Sequence, residues 1–100
     1  MAVISVATLT IGDSWEAFLE SNKKAKAILE RYGAKNVRLL APVAGAETSG
    51  TFHSTFEADD LATLGKILDS IYADPDMLAL MQSGASSSWT SSILGEIPLA

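Results

Sequence analysis

The 100-residue chain contains no cysteine. That excludes disulfides, thiolate nucleophiles and zinc–thiolate sites. Its single histidine, His53, would need carboxylates arranged around it to hold a metal. Glu57 and Asp59 lie near in sequence but read as a strand end and a helix cap, so no metal is expected. There is no nucleophile-elbow sequence to support a Ser-His-Asp triad. The seven glycines form no Gly-rich, phosphate-cradling loop. No apolar run approaches the roughly 20 residues that span a bilayer. The apolar start, Met1 to Ile11, lacks a basic leading region, is rich in β-branched residues and runs into a helix cap, so it reads as a strand and not a signal peptide. The expected location is the cytoplasm.

Positive charge is scarce as well. A net charge of −5 argues against a nucleic-acid or anionic-membrane partner, because both need a positive field. Six of the seven basic residues nevertheless fall between Lys23 and Arg38. A phosphate-binding patch is one reading. The other is helix chemistry: Asp13, Glu16 and Glu20 open a helix and Lys23, Lys24, Lys26 and Arg31 close it, matching its dipole. Glu20 and Lys24 also have i,i+4 spacing.

What is abundant is apolar surface, with 48% hydrophobic and only 19% charged residues. A chain of this length forms one domain, residues 1–100, and buries about 65% of its unfolded surface. Part of so much apolar material is expected to be covered by a second copy of the chain.

Ala2–Ile11 (AVISVATLTI) reads as a central strand, with apolar residues on both faces. Gly12-Asp13 breaks it, and Asp13 with Glu16 forms a capping-box pattern. A helix follows from about Ser14 to Tyr32, with Trp15, Phe18, Leu19, Ala25, Ile28, Leu29 and Tyr32 at helical spacing and Gly33 as its stop. Asn36–Val43 is a second strand, placed at an edge by Pro42. Ala44–Gly50 is a polar hairpin loop. Thr51–Glu57 alternates clearly, with Phe52, Ser54 and Phe56 on one face and Thr51, His53 and Thr55 on the other. Asp59 or Asp60 caps a second helix bearing Leu61, Leu64, Ile67, Leu68, Ile71 and Tyr72. Asp74-Pro75 starts a short helix with Leu78, Leu80 and Met81. Gln82–Ser88 reads as a linker and Trp89–Ile97 as the last strand.

The order β-α-β-β-α-β, with right-handed crossovers, gives an α+β, ferredoxin-like fold: a four-stranded antiparallel sheet with helices on one face. Val, Leu and Ile on both sides of the strands make the bare face too apolar for water. Two such sheets face to face would form a dimeric α/β barrel.

In this order of elements, in GTFHSTFEADDLA leading strand 3 into helix 2, and in ADPDMLALM before strand 4, the chain resembles the dimeric α/β-barrel superfamily. The likeness covers almost the whole chain and is strongest toward NIPSNAP-like and antibiotic-biosynthesis-monooxygenase-like (ABM-like) members. It implies a homodimer with a small-molecule pocket. It also implies cofactor-independent chemistry of the monooxygenase, cyclase or isomerase type on a hydrophobic or aromatic substrate. A non-catalytic binding or accessory module is the alternative. Haem-handling relatives place a histidine ligand on the second helix. Asp60–Ala73 has none, so no haem is expected.

His53 is the candidate catalytic residue, since an imidazole titrating near pH ~6.5 is the usual general acid or base. Its competing reading is a hydrogen bond to Thr or Ser at a dimer interface. Asn22 falls on the apolar stripe of helix 1, where an amide needs a partner and could orient a carbonyl substrate. Tyr72 and Trp15, with Trp89, could wall a flat ligand, although aromatics at such spacing also build plain core. Ser54 completes the substrate-binding candidates. Arg38 reads as a surface residue.

Overall fold

β1 (Val3–Ile11) is the strand around which the sheet is organised. It pairs antiparallel with β3 (Thr51–Ala58) on one side and with β4 (Ser86–Gly95) on the other; β2 (Lys35–Leu40) completes the order β2-β3-β1-β4. A computed structural model describes residues 2–45 and 50–99. Three helices complete the chain: α1 (Trp15–Arg31), α2 (Leu61–Ala73) and α3 (Pro75–Met81). The architecture is the expected ferredoxin-like α+β arrangement, with β2 at an edge. Residues 46–49 of the expected hairpin loop lie outside the described residues.

Residues paired across antiparallel strands share a sheet side. Val3 faces Ala58, Ser5 faces Phe56 and Ile93, Ala7 faces Ser54 and Ser91, and Leu9 faces Phe52 and Trp89. This side carries the helices and the core. Val3, Phe56 and Ala58 meet Ile28 and Leu29 of α1, Leu64, Ile67 and Ile71 of α2, and Met77 of α3. Phe18, fully buried, packs its ring against Phe52 and Trp15 at centroid distances of 5.1 and 6.1 Å. Each such large side chain contributes about 2–3 kcal/mol by leaving water.

The opposite side carries Ile4, Val6, Thr8 and Thr10, with Thr51, His53, Thr55 and Glu57 of β3 and Thr90, Ser92 and Leu94 of β4. It is less apolar than the sequence suggested. Alternation in β1 sends its two later threonines to this side and keeps Val3 and Leu9 with the helices. Thr55 is buried here, and its hydroxyl has no hydrogen-bond partner among the described residues.

The caps follow local chemistry, with one correction. Ser14, not Asp13, is the N-cap of α1, its hydroxyl accepting from Ala17 N–H at 3.0 Å. Asp13 is held outside the helix because its own N–H donates to Gly84 O at 3.0 Å. Among the described residues an i,i+4 ion pair within α1 joins Lys26 to Glu30, and none joins Glu20 to Lys24. Asp60 caps α2 through Thr63 N–H at 2.7 Å, and Asp74 caps α3 with Pro75 at its first position. Gly33 adopts φ 95° just past α1, the left-handed stop a glycine supplies.

β4 is the second correction. It begins at Ser86 and ends at Gly95, earlier at both ends than the Trp89–Ile97 reading. Its start is fixed by β1: Gly12 N–H donates to Ala85 O at 2.8 Å, and a Cβ on Gly12 would lie 2.0 Å from Gly84 O. Only glycine permits that approach. Among the described residues no helix is long and apolar enough to cross a membrane.

Candidate functional site

Between the helices and the sheet lies a cleft of about 340 Å³. Its origin is in the sequence of the sheet. Where a filled core would need large side chains, the helix-facing side of the strands places Ser5 and Ala7 on β1, Ser54 on β3 and Ser91 on β4. Small residues leave the volume unfilled. The helices supply the opposite wall: Ala25 and Leu29 of α1, Leu68 and Ile71 of α2, and Met77, Leu80 and Met81 of α3. The cleft therefore has an apolar roof and a floor dotted with hydroxyls.

Three further groups give it directionality. Asn22 donates through Nδ2 to Phe18 O at 2.8 Å, and its second amide hydrogen and its carbonyl oxygen take no partner among the described residues. Tyr72 and Trp89 meet edge to face, with ring centroids 6.2 Å apart and planes at 80°, and both line the cleft. Ser86, Ser87 and Ser88 line it at the start of β4; the Ser87 and Ser88 hydroxyls lie 2.6 and 2.8 Å from Thr10 Oγ1.

The α3 wall is held by Asp74. Its buried carboxylate takes Arg31 and Tyr32 of the α1 end on one oxygen and the N–H groups of Asp76 and Met77 on the other. The Tyr32 hydroxyl foremost, then Met77 N–H, Asp76 N–H and the charge of Arg31, hold this carboxyl below its usual range; burial works in the opposite direction.

The fold gathers some of the residues singled out from the sequence and separates others. Asn22, Ser54 and Tyr72 converge on the cleft. Trp15 does not line it; the indole packs on Phe18 and Phe52, at 5.5 Å from the latter. His53 lies on the other side of the sheet, with Nδ1 3.1 Å from Thr8 Oγ1. Ser5, Ser91, Ser21 and the Ser86–Ser88 run were not singled out. For Ser5 and Ser91 the signal was present: small polar residues at core-facing strand positions mark a place the core does not fill.

Chemically, the lining offers hydroxyls, one amide and one phenol. Tyr72 is its one titratable side chain, and no carboxylate, imidazole or amine is among the described lining residues. The site can orient a carbonyl or hydroxyl-bearing ligand through Asn22 and the serines and stack it beside Tyr72 and Trp89. Among the described residues no three His, Asp or Glu side chains group as metal ligands.

No protein-family model matches the chain, and no curated protein matches it. Solved structures do. SnoaB, a cofactor-independent oxygenase from Streptomyces nogalater, superposes with a TM-score of 0.75 at 16% identity, over 97% of this chain and 94% of that one. The fold is ferredoxin-like. An uncharacterised NIPSNAP-like domain protein from Burkholderia xenovorans matches at TM-score 0.74 and 9% identity, over 99% of this chain and 88% of that one. A dabb-family protein with a ferredoxin-like fold from Mesorhizobium loti matches at TM-score 0.68 and 13% identity, over 98% and 100%. The chain thus shares the ferredoxin-like architecture of NIPSNAP and dabb proteins and of this oxygenase. At these identities the likeness is one of fold.

Proposed function

We propose that the cleft binds a hydrophobic or aromatic small molecule and that the chain acts on it without a bound cofactor, by chemistry of the monooxygenase, cyclase or isomerase type. The observation that carries the reading is the cleft itself: about 340 Å³ with an apolar helical wall, a hydroxyl-bearing floor and the Tyr72–Trp89 pair. The fold shared with a cofactor-independent oxygenase supports the reaction class. Asn22 would orient a ligand carbonyl, Ser54 and its neighbouring serines would take its oxygen atoms, and Tyr72 would pack and donate. The chain is proposed to work as a homodimer.

A second reading, a non-catalytic binding module, is favoured by one observation. Tyr72 is the one titratable group of the lining, and His53 stands on the other side of the sheet. The same experiment serves both. Calorimetric titration with 2-naphthamide is expected to show binding to the wild type, and Ala25→Phe, which fills the cleft, should abolish it without changing the circular dichroism. Conversion of a bound ligand that is lost in Ala25→Phe and Asn22→Ala supports the enzyme; binding without conversion supports the module. Unchanged binding in Ala25→Phe, or none in the wild type, overturns the cleft assignment.

A further inference from the structure

The positive charge concentrated between Lys23 and Arg38 is divided by the fold. Arg31 is committed to Asp74 at 2.6 Å and Lys35 to Asp59 at 2.9 Å. Lys23 and Lys26 instead flank a second recess, of about 120 Å³, between α1 and the β2–β3 edge of the sheet; Arg38 borders it from β2, but its register with Thr55 turns its side chain to the side away from the helices. The spacing of Leu19, Asn22, Lys23 and Lys26 puts them on one stripe of α1. Their apolar counterparts across the recess are Val37 and Leu39.

No acidic side chain is among the described residues that line this recess. Lys26 keeps a loose ion pair with Glu30 at 3.9 Å along its own helix, and Arg38 pairs with Glu57 at 4.0 Å on the other side of the sheet. Lys23 has no ion-pair partner among the described residues. On a chain of net charge −5, the two lysines gather positive charge beside a recess that none of the described acidic side chains lines. Asn22 and Ser54 line both this recess and the large cleft, so the two lie side by side. The free hydrogen of the Asn22 amide is a donor at that junction.

We propose that the ligand of the cleft is an amphipathic acid. Its apolar body occupies the cleft, and its carboxylate, or an equivalent small anionic group, sits in the recess between Lys23 and Lys26. Two lysines and a free amide hydrogen attract an anion, while Leu19, Val37 and Leu39 accept the carbons that carry it. This inference rests on the cleft being the binding site.

The test compares 2-naphthoic acid with its neutral amide, 2-naphthamide, by calorimetry at neutral pH. The acid is expected to bind roughly three- to tenfold more tightly, as two exposed charge contacts allow. That preference should vanish in the Lys23→Gln/Lys26→Gln variant and shrink at high salt, with amide binding unchanged. Equal affinity for acid and amide in the wild type, or a preference that survives the double substitution, overturns the acid assignment and leaves the cleft standing. If neither compound binds, or Ala25→Phe fails to block them, the cleft reading fails and takes this one with it.

Discussion

The Tyr32 hydroxyl donates a hydrogen bond to Asp74 Oδ2 at 2.5 Å, and Arg31 Nη2 donates to the same oxygen at 2.6 Å. The second carboxylate oxygen accepts from the N–H groups of Asp76 and Met77. One buried side chain therefore fastens the end of α1 to the start of α3. Since α3 carries Met77, Leu80 and Met81 into the cleft wall, this connection also sets the shape of the site.

The Asp74 carboxyl is held below its ordinary range, led by the Tyr32 bond. A depressed carboxylate contributes stability above its unfolded pKa and loses it as pH falls through its folded pKa. Asp74→Asn is thus expected to melt several degrees below the wild type at neutral pH. The gap should begin to narrow as pH falls below about 4, the ordinary carboxyl value, and close only as it passes the lower pKa of the folded-state carboxyl. A gap of equal size in acid and at neutrality would assign the effect to packing instead of charge.

Two glycines should respond to alanine in opposite directions. Gly12→Ala puts a Cβ 2.0 Å from the backbone oxygen of Gly84, which cannot swing aside, and the two backbone bonds that seat β4 would have to open. A loss of about 3 kcal/mol is expected. Gly65 lies inside α2 with nothing within 4 Å of a new Cβ, so Gly65→Ala should gain about 0.5–1 kcal/mol from helix propensity. Denaturant unfolding of the two variants checks both signs.

Much of this fold was legible because periodicity and punctuation agree. Asp74-Pro75 marks a helix start, Gly33 a helix end, and the Phe52–Phe56 alternation a strand. The misplacements have local causes. Asp13 and Ser14 are both good N-caps, and only the tertiary bond from Asp13 N–H to Gly84 O decides between them. The serine run looked like a linker because serine has little strand preference; Ser86 to Ser88 extend because β1 offers them a ladder, reinforced by hydroxyl bonds to Thr10. The site was half legible. Asn22, Ser54 and Tyr72 are polar anomalies at core-facing positions, and such anomalies are what a cleft requires. His53 is also an anomaly, but strand parity, already readable in Phe52, Ser54 and Phe56, sends it to the other side.

Ile93 and Leu94 near the end of β4 and Leu40 on β2 are each more than 40% exposed, and Ile97 is 78% exposed. Leu94 and Leu40 share with Ile4 and Val6 the side of the sheet without helices, and apolar side chains gathered on one face suit burial against a second copy. Light scattering is expected to give about 21 kDa, twice the chain mass of 10.5 kDa. A monomer that persists at high protein concentration would remove the proposed homodimer.

The two tryptophans should separate binding from packing. Trp89 lines the cleft against Tyr72, so Trp89→Ala is expected to weaken 2-naphthamide binding by about 1–1.5 kcal/mol, roughly tenfold. Trp15 packs on Phe18 and Phe52 outside the lining, so Trp15→Ala should leave binding unchanged and cost about 1–2 kcal/mol of stability. The reverse pattern would place the ligand elsewhere.

His53 gives the sharpest test of which side of the sheet does the chemistry. Its Nδ1 lies 3.1 Å from Thr8 Oγ1, and both residues face away from the helices. A ligand in the cleft is separated from this imidazole by the thickness of the sheet. His53→Ala is therefore expected to leave 2-naphthamide affinity intact, and the pH profile of binding should carry no imidazole limb. If the side bearing His53 is where two copies meet, the substitution should instead loosen the dimer and cost about 1 kcal/mol by leaving Thr8 without its partner. Light scattering and thermal melting on the same preparations read those effects. Should ligand binding or turnover disappear while mass and melting temperature hold, His53 would have to touch the ligand. The productive pocket would then lie between two facing sheets, not between helices and sheet.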